Sequence, residues 1–208
     1  MADSQYTALL LVIDRSGSMS SIREDMVGGL TALVEEQKKQ PGLLTLNLVQ
    51  FDDEVEVLHH LADPAGVTIE IDPRGRTALY DAVGVGINTL AAEIDELPEH
   101  AKPGTVQVIV VTDGHENASS EYTGKTIKKL ITEKTKKDHW DVVFLGANQD
   151  AVMKAAEMGI NEGSSMTYSA DSTGVANASS SLNRYVNDRR TGDRTAFSPQ
   201  ERRKSSGE

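Results

Sequence analysis

The run Ala8-Leu9-Leu10-Leu11-Val12-Ile13 is apolar at every position and ends on Asp14. A strand with one wet face alternates apolar and polar residues, so a continuous run of this kind, from Thr7 to Asp14, describes a central strand covered on both sides. Val106 to Thr112 and Val142 to Leu145 have the same character. Other stretches carry apolar stripes at spacings of three and four: Ile22, Met26, Leu30, Leu33 and Val34; Leu79, Val83, Gly86 and Leu90; Ile127, Leu130, Ile131 and Lys134. These read as amphipathic helices. Leu44, Leu46 and Leu48 alternate with Thr45, Asn47 and Val49, and after Asp52-Asp53-Glu54 a second run extends from Val55 to Leu61, the pattern of an antiparallel hairpin. The order strand, helix, hairpin, helix, strand, helix, strand, helix predicts an α/β fold with a mainly parallel sheet and helices on both faces.

A length of 208 residues suits one such domain. After Leu145 the segment GANQDAVMKAAEMGI reads as a loop and a helix ending at Gly159, Met166 to Tyr168 as a short last strand, and Asp171 to Asn187 as a weak helix on Val175, Leu182 and Val186. We expect the domain to occupy residues 1–187 and a polar, arginine-rich tail residues 188–208. Within that tail Ser198-Pro199-Gln200-Glu201 is a capping box with proline at the first helical position, which predicts a short helix over 198–204 if something packs on it. Without such packing the tail is expected to be disordered.

Lysine plus arginine number 21 and aspartate plus glutamate 32, for a formal net charge of −11. That balance disfavours nucleic acid and anionic membrane as partners and is compatible with holding cations. Cysteine is absent, which excludes disulfides, thiolate zinc sites and cysteine nucleophiles, and which fits a reducing compartment. The start has no basic region, and its apolar run is too short for a signal peptide or a membrane span. A cytoplasmic protein is expected.

Asp14, Ser16 and Ser18 follow the first strand at alternate positions. In an extended loop alternate side chains point the same way, so one carboxylate and two hydroxyls can converge above the sheet. Hard oxygens of this kind suit Mg²⁺, which takes octahedral geometry at about 2.0–2.1 Å and keeps some waters. Asp113 ends another central strand and can face the same crevice, where open α/β sheets bind their ligands. Thr77, in a glycine-containing loop just before a helix, can bring a third hydroxyl. Taken alone, Asp-x-Ser-x-Ser is also an ordinary turn and helix-capping sequence.

Together, Asp14-x-Ser16-x-Ser18 after an apolar strand, Thr77 in Gly75-Arg76-Thr77-Ala78-Leu79-Tyr80-Asp81-Ala82, and Thr112-Asp113-Gly114 after another strand resemble the metal-ion-dependent adhesion site of von Willebrand factor A domains. The resemblance covers roughly residues 6 to 160. It implies a doubly wound sheet with one antiparallel edge strand and a divalent cation, Mg²⁺ or Mn²⁺ with Ca²⁺ as a third candidate, at Asp14, Ser16, Ser18, Thr77 and Asp113. Asp113 would act through water, and a glutamate or aspartate of a partner protein would complete the shell. The GANQDA segment is similar to bacterial and phage members, which are intracellular. Two departures stand out: Arg15 lies inside the motif, and Arg76 replaces a glycine often found before the threonine.

Among the other polar residues, His115, Glu116 and Asn117 belong on the rim or in a loop capping the next helix. His59 and His60, adjacent in a strand, face opposite sides and cannot share a metal. Lys125, Lys128, Lys129, Lys134, Lys136 and Lys137 read as a solvated helix face, and Asp81 as a support for the Thr77 loop or a helix cap. A rival function is a metal-dependent phosphatase or other hydrolase, because an aspartate after a first parallel strand also opens the haloacid dehalogenase pattern. That chemistry needs a second acid two residues on, where this chain has Ser16. No Gly-x-Ser-x-Gly elbow or Walker A loop is present, so a binding module is expected, with an adaptor of an AAA+ ATPase, stress-response or phage complex among the assignments left open.

Overall fold

The computed structural model describes residues 2–147, 151–193 and 196–208. Strands β1 (Asp3–Asp14), β2 (Leu43–Phe51), β3 (Val55–Ala62), β4 (Pro103–Thr112), β5 (Asp141–Ala147) and β6 (Ser165–Tyr168) form a sheet in the order β3-β2-β1-β4-β5-β6. Among the described residues only the β2–β3 pair is antiparallel, at one edge. The register sets Leu11 of β1 opposite Leu48 of β2 and Ile109 of β4, so the carboxyl ends of β1 and β4 finish level.

Side chains of β1 alternate between two cores. Leu9, Leu11 and Ile13 pack with Met26, Leu30 and Leu33 of α1 (Arg23–Lys38) and with Val175, Leu182 and Tyr185 of α5 (Ser172–Arg190). Leu10 and Val12 join the opposite core, with Val83, Ile87 and Leu90 of α2 (Leu79–Glu96), Ile127 and Ile131 of α3 (Gly124–Lys137), and Ala151 and Ala155 of α4 (Ala151–Glu157). Both faces of the sheet are therefore covered, as the uninterrupted apolar run requires. Leu10 and Leu11 are both fully buried; truncating either to alanine would cost about 2–5 kcal/mol.

The weak periodicity after Asp171 becomes α5, capped by the Asp171 carboxylate on the Gly174 N–H at 2.8 Å. Its serines and alanines let it approach α1 closely: a side chain at Gly29 would collide with Ser179. The last element, α6 (Pro199–Ser206), carries the expected capping box, and something does pack on it. Phe197 is buried against Tyr185 with ring centroids 4.8 Å apart. Arg184 grips Glu201 at 2.6 and 3.0 Å, and the Ser169 N–H donates to Ser205 O at 2.8 Å. Of the GANQDA segment, Asn148, Gln149 and Asp150 lie outside the described residues.

Candidate metal centre

Asp14 ends β1 wholly buried. Its two oxygens are held differently: the Ser16 N–H donates to Oδ1 at 2.7 Å and the Thr112 hydroxyl donates to Oδ2 at 2.5 Å. A 3-10 turn over Gly17–Ser21 then brings the Ser18 hydroxyl back to 3.1 Å from that of Ser16. From there Ser18 donates to Asp113 Oδ1 at 2.6 Å, closing the gap between the loops that leave β1 and β4. Thr77 arrives through Gly114, where a Cβ would stand 2.6 Å from Thr77 Oγ1 and 3.5 Å from Asp14 Oδ2. A side chain there would push Thr77 aside, while Asp14 would be left in ordinary contact. The structure thus gathers Asp14, Ser16, Ser18, Thr77 and Asp113 at the carboxyl ends of β1 and β4, with Ser16 and Thr77 buried, Asp113 half-buried and Ser18 exposed.

Burial pushes the Asp14 carboxyl up to about 6, against the opposing hydrogen bonds from Thr112 and Ser16 and with a smaller push from the charge of Asp113. Asp113 is also raised, again by burial first. Behind both, the fully buried Tyr168 hydroxyl donates to Thr112 O at 3.3 Å. The five side chains offer oxygen donors alone, the set that suits a hard cation. Among the described residues no three histidines, cysteines, aspartates or glutamates gather as a metal-ligating group. The five residues offer two carboxylates, which together match the charge of one divalent ion.

Neither arginine of the motif points into the crevice. Arg15 donates Nε to Asp52 Oδ2 and a terminal nitrogen to Glu56 Oε2, each at 2.9 Å. Arg74 shares Asp52 Oδ2 at 2.7 Å, and Arg76 donates Nε to Asp53 Oδ1 at 2.6 Å and its N–H to Asp53 Oδ2 at 2.9 Å. Burial alone would raise the Asp52 carboxyl, yet hydrogen bonds from Arg74 and the Glu54 N–H and the charge of Arg15 hold it below the usual carboxylate range. Read from sequence, Asp52 and Asp53 are only hairpin-turn residues; in the structure they are the counter-ions that keep arginine away from the carboxylates. Gly75, at φ +66°, completes this loop, and a side chain there would strike Asp53.

The segment after Asp113 braces the Thr77 loop. Asn117 Oδ1 accepts from the Thr77 N–H at 2.9 Å and the Asn117 N–H donates to Thr77 O at 3.0 Å. Glu116 accepts from the Tyr80 N–H at 2.9 Å and from the Ala118 and Ser119 N–H groups, while His115 is exposed. Asp81 supports a different stretch, accepting from the N–H groups of Ser120, Glu121 and Tyr122 at 2.7–3.0 Å. On α3, Lys134 pairs with Asp138 and lies over Trp140, and Lys137 pairs with Glu133. His60 meets Glu93 on the hairpin surface.

Residues 8–181 match the model of the von Willebrand factor type A domain. No curated protein matches the chain. Among solved structures, proximal thread matrix protein 1 from the mussel byssus, with a zinc-occupied MIDAS motif, is 18% identical with a TM-score of 0.63, covering 87% of this chain and 46% of its own. A von Willebrand factor type A protein from Catenulispora acidiphila is 15% identical with a TM-score of 0.57, covering 85% and 42%. The vWF domain of the type V pili tip protein Mfa5 from Porphyromonas gingivalis is 11% identical with a TM-score of 0.62, covering 93% and 98%. The chain spans less than half the length of the first two.

These likenesses correct the expected cytoplasmic location, since they lead to a mussel byssus thread and a pilus tip. The expectation rested largely on missing cysteine, and a sheet buried on both faces needs no disulfide in either compartment. They give no support to an intracellular bacterial or phage type. No helix among the described residues is long and apolar enough to cross a membrane. The matched residues, the sheet order and the covered faces agree: the chain belongs to the von Willebrand factor type A domain family, whose members are adhesion and protein-interaction modules rather than catalysts.

Proposed function

We propose that Asp14, Ser16, Ser18, Thr77 and Asp113 hold one divalent cation, Mg²⁺ or Mn²⁺ with Ca²⁺ the third candidate, and that the domain uses it to grip a protein partner. The observation that carries this reading is Asp14, a fully buried carboxylate ringed by hydroxyl oxygens, with the nearby arginines drawn off by Asp52 and Asp53. Burying an anion without a compensating charge is costly, and a cation at the open side of the crevice relieves that cost. The mussel protein's MIDAS motif holds zinc, but the oxygen-only set here favours Mg²⁺ or Mn²⁺, because zinc sites are built mainly from nitrogen and sulfur.

When bound, the ion supplies a coordination position for a carboxylate oxygen from a glutamate or aspartate of the partner. Asp14 and Ser16, held rigidly at the end of β1, set the ion's position. Thr77, carried on a loop braced by Asn117, sets access to it. We further infer that residues 1–187 are the binding domain and that residues 188–208 serve as an arm docked on it through Phe197 and Glu201. The test is retention of partner proteins by the immobilised chain in Mg²⁺ and in EDTA, followed by Glu→Gln and Asp→Asn replacement in the partner. Release by EDTA, and loss of most of the affinity on one such replacement, is the expected result. A partner kept at full strength in EDTA and by Thr77→Ala would overturn the reading.

A further inference from the structure

Between β3 and α2 the chain passes through Val67 to Asp72 outside any ladder. Exposure alternates strictly there: Thr68, Glu70 and Asp72 are exposed while Ile69 and Ile71 are buried in the core under α1. That period of two is the signature of extended backbone. Yet among the described residues no backbone group of Thr68 to Asp72 bonds to another backbone group, and the Gln50 side chain takes the single carbonyl of Glu70. The segment lines a groove of about 690 Å³ whose other wall is the first turns of α1. On that wall Val27 is half-buried, and Gly28 leaves open space, since a Cβ there would meet nothing within 4 Å.

We propose that this groove is a second docking site, separate from the metal centre, where an extended basic segment of a partner protein adds as a strand beside residues 68–72. An extended backbone with unpaired N–H and C=O groups is a template for strand addition, which draws affinity from main-chain hydrogen bonds and specificity from alternate side chains. Neighbouring strands place their side chains on matching faces. Inward residues of the added strand would lie beside Ile69 and Ile71 and over Val27 and Gly28, so they should be apolar. Outward residues would lie beside Glu70 and Asp72, with Glu24 on the facing helix against the single cation of Arg23, so they should be lysine or arginine. The occupant is thus a segment alternating basic and small apolar residues.

The probe is the capped peptide Lys-Val-Lys-Val-Lys-Val, titrated into the ¹⁵N-labelled full chain. Shifts confined to residues 23–28 and 67–73, unchanged by EDTA, are expected. N-methylating the peptide at all valines or at all lysines should abolish binding in one case and spare it in the other, because alternate N–H groups point to opposite sides of a strand. Gly28→Phe should weaken binding at least tenfold without lowering the melting temperature, since phenylalanine is the better helix former at an exposed position. The proposal is overturned by shifts elsewhere, by equal binding of both methylated peptides, by an equal response to Glu-Val-Glu-Val-Glu-Val, or by no shift at millimolar peptide.

Discussion

Ser18 donates its hydroxyl to Asp113 at 2.6 Å, joining the loops after β1 and β4 across 95 residues of sequence. The bond ties the exposed hydroxyl of the centre to its second carboxylate, so the two residues form one arm of the crevice. Ser18→Ala and Asp113→Ala should each lower Mg²⁺ affinity at least tenfold. The double variant should lose less than the sum of the two, because residues in direct contact couple. Calorimetric titration of the four proteins measures this; strict additivity would mean that the two act independently.

The buried Asp14 carboxylate should destabilise the metal-free fold. Its folded-state value of about 6 lies above the ordinary carboxylate value, so ionisation favours the unfolded chain. In EDTA at neutral pH, Asp14→Asn should therefore be more stable than the natural chain by on the order of 2–3 kcal/mol. The advantage should hold above pH 6 and fade as pH drops from about 6 towards 4, where Asp14 is protonated in the folded state and then in both states. Urea unfolding at several pH values checks it. An asparagine variant that is less stable throughout would show that the hydrogen bonds from Thr112 and Ser16 outweigh burial.

Gly114→Ala places a Cβ 2.6 Å from Thr77 Oγ1, so Thr77 must move. The expected outcome is a stability loss of about 1–3 kcal/mol, together with weakened Mg²⁺ binding. Amide shifts at Thr77 and Asn117 in the metal-free variant would report the displacement directly, and unchanged shifts there would count against the shared packing.

Asp52→Ala removes the acceptor shared by Arg15 and Arg74, and the Arg15 and Asp52 side chains are 7% and 4% exposed. Breaking a buried pair on one side costs about 3–5 kcal/mol. An Arg15 guanidinium left with Glu56 as its one remaining carboxylate partner would also be freer to compete with the cation, so Mg²⁺ affinity should fall although Asp52 is not among the proposed ligands. Replacing both residues, as Arg15→Met with Asp52→Ala, should restore much of the affinity. No recovery would mean that Asp52 acts through the Arg74 loop instead.

The parallel sheet was legible because Ala8 to Ile13 admits no wet face, and the nearness of Asp14, Ser16, Ser18 and Asp113 because they follow the ends of two central strands; Thr77, on the loop before α2, was joined to them by the family resemblance. The charge neutralisation around them was not. Asp52 and Asp53 read as turn residues, and only the pairing of β3 beside β2, with the Thr77 loop folded over it, brings them to Arg15, Arg74 and Arg76. The C-terminal arm was half legible: the capping box at Ser198 announces a helix, but the docking of Phe197 on Tyr185 is a long-range contact that no local pattern encodes. Location was misread, since composition reports what a chain can tolerate more than where it resides.

The central claim, a single divalent cation at the end of β1, is tested most directly by calorimetric titration of Mg²⁺ into the EDTA-stripped chain and into its Asp14→Asn variant, with circular dichroism showing both folded. The account predicts one saturable site in the natural chain and none in the variant. Equal binding by both, or no binding by the natural chain to Mg²⁺, Mn²⁺ or Ca²⁺, would contradict it.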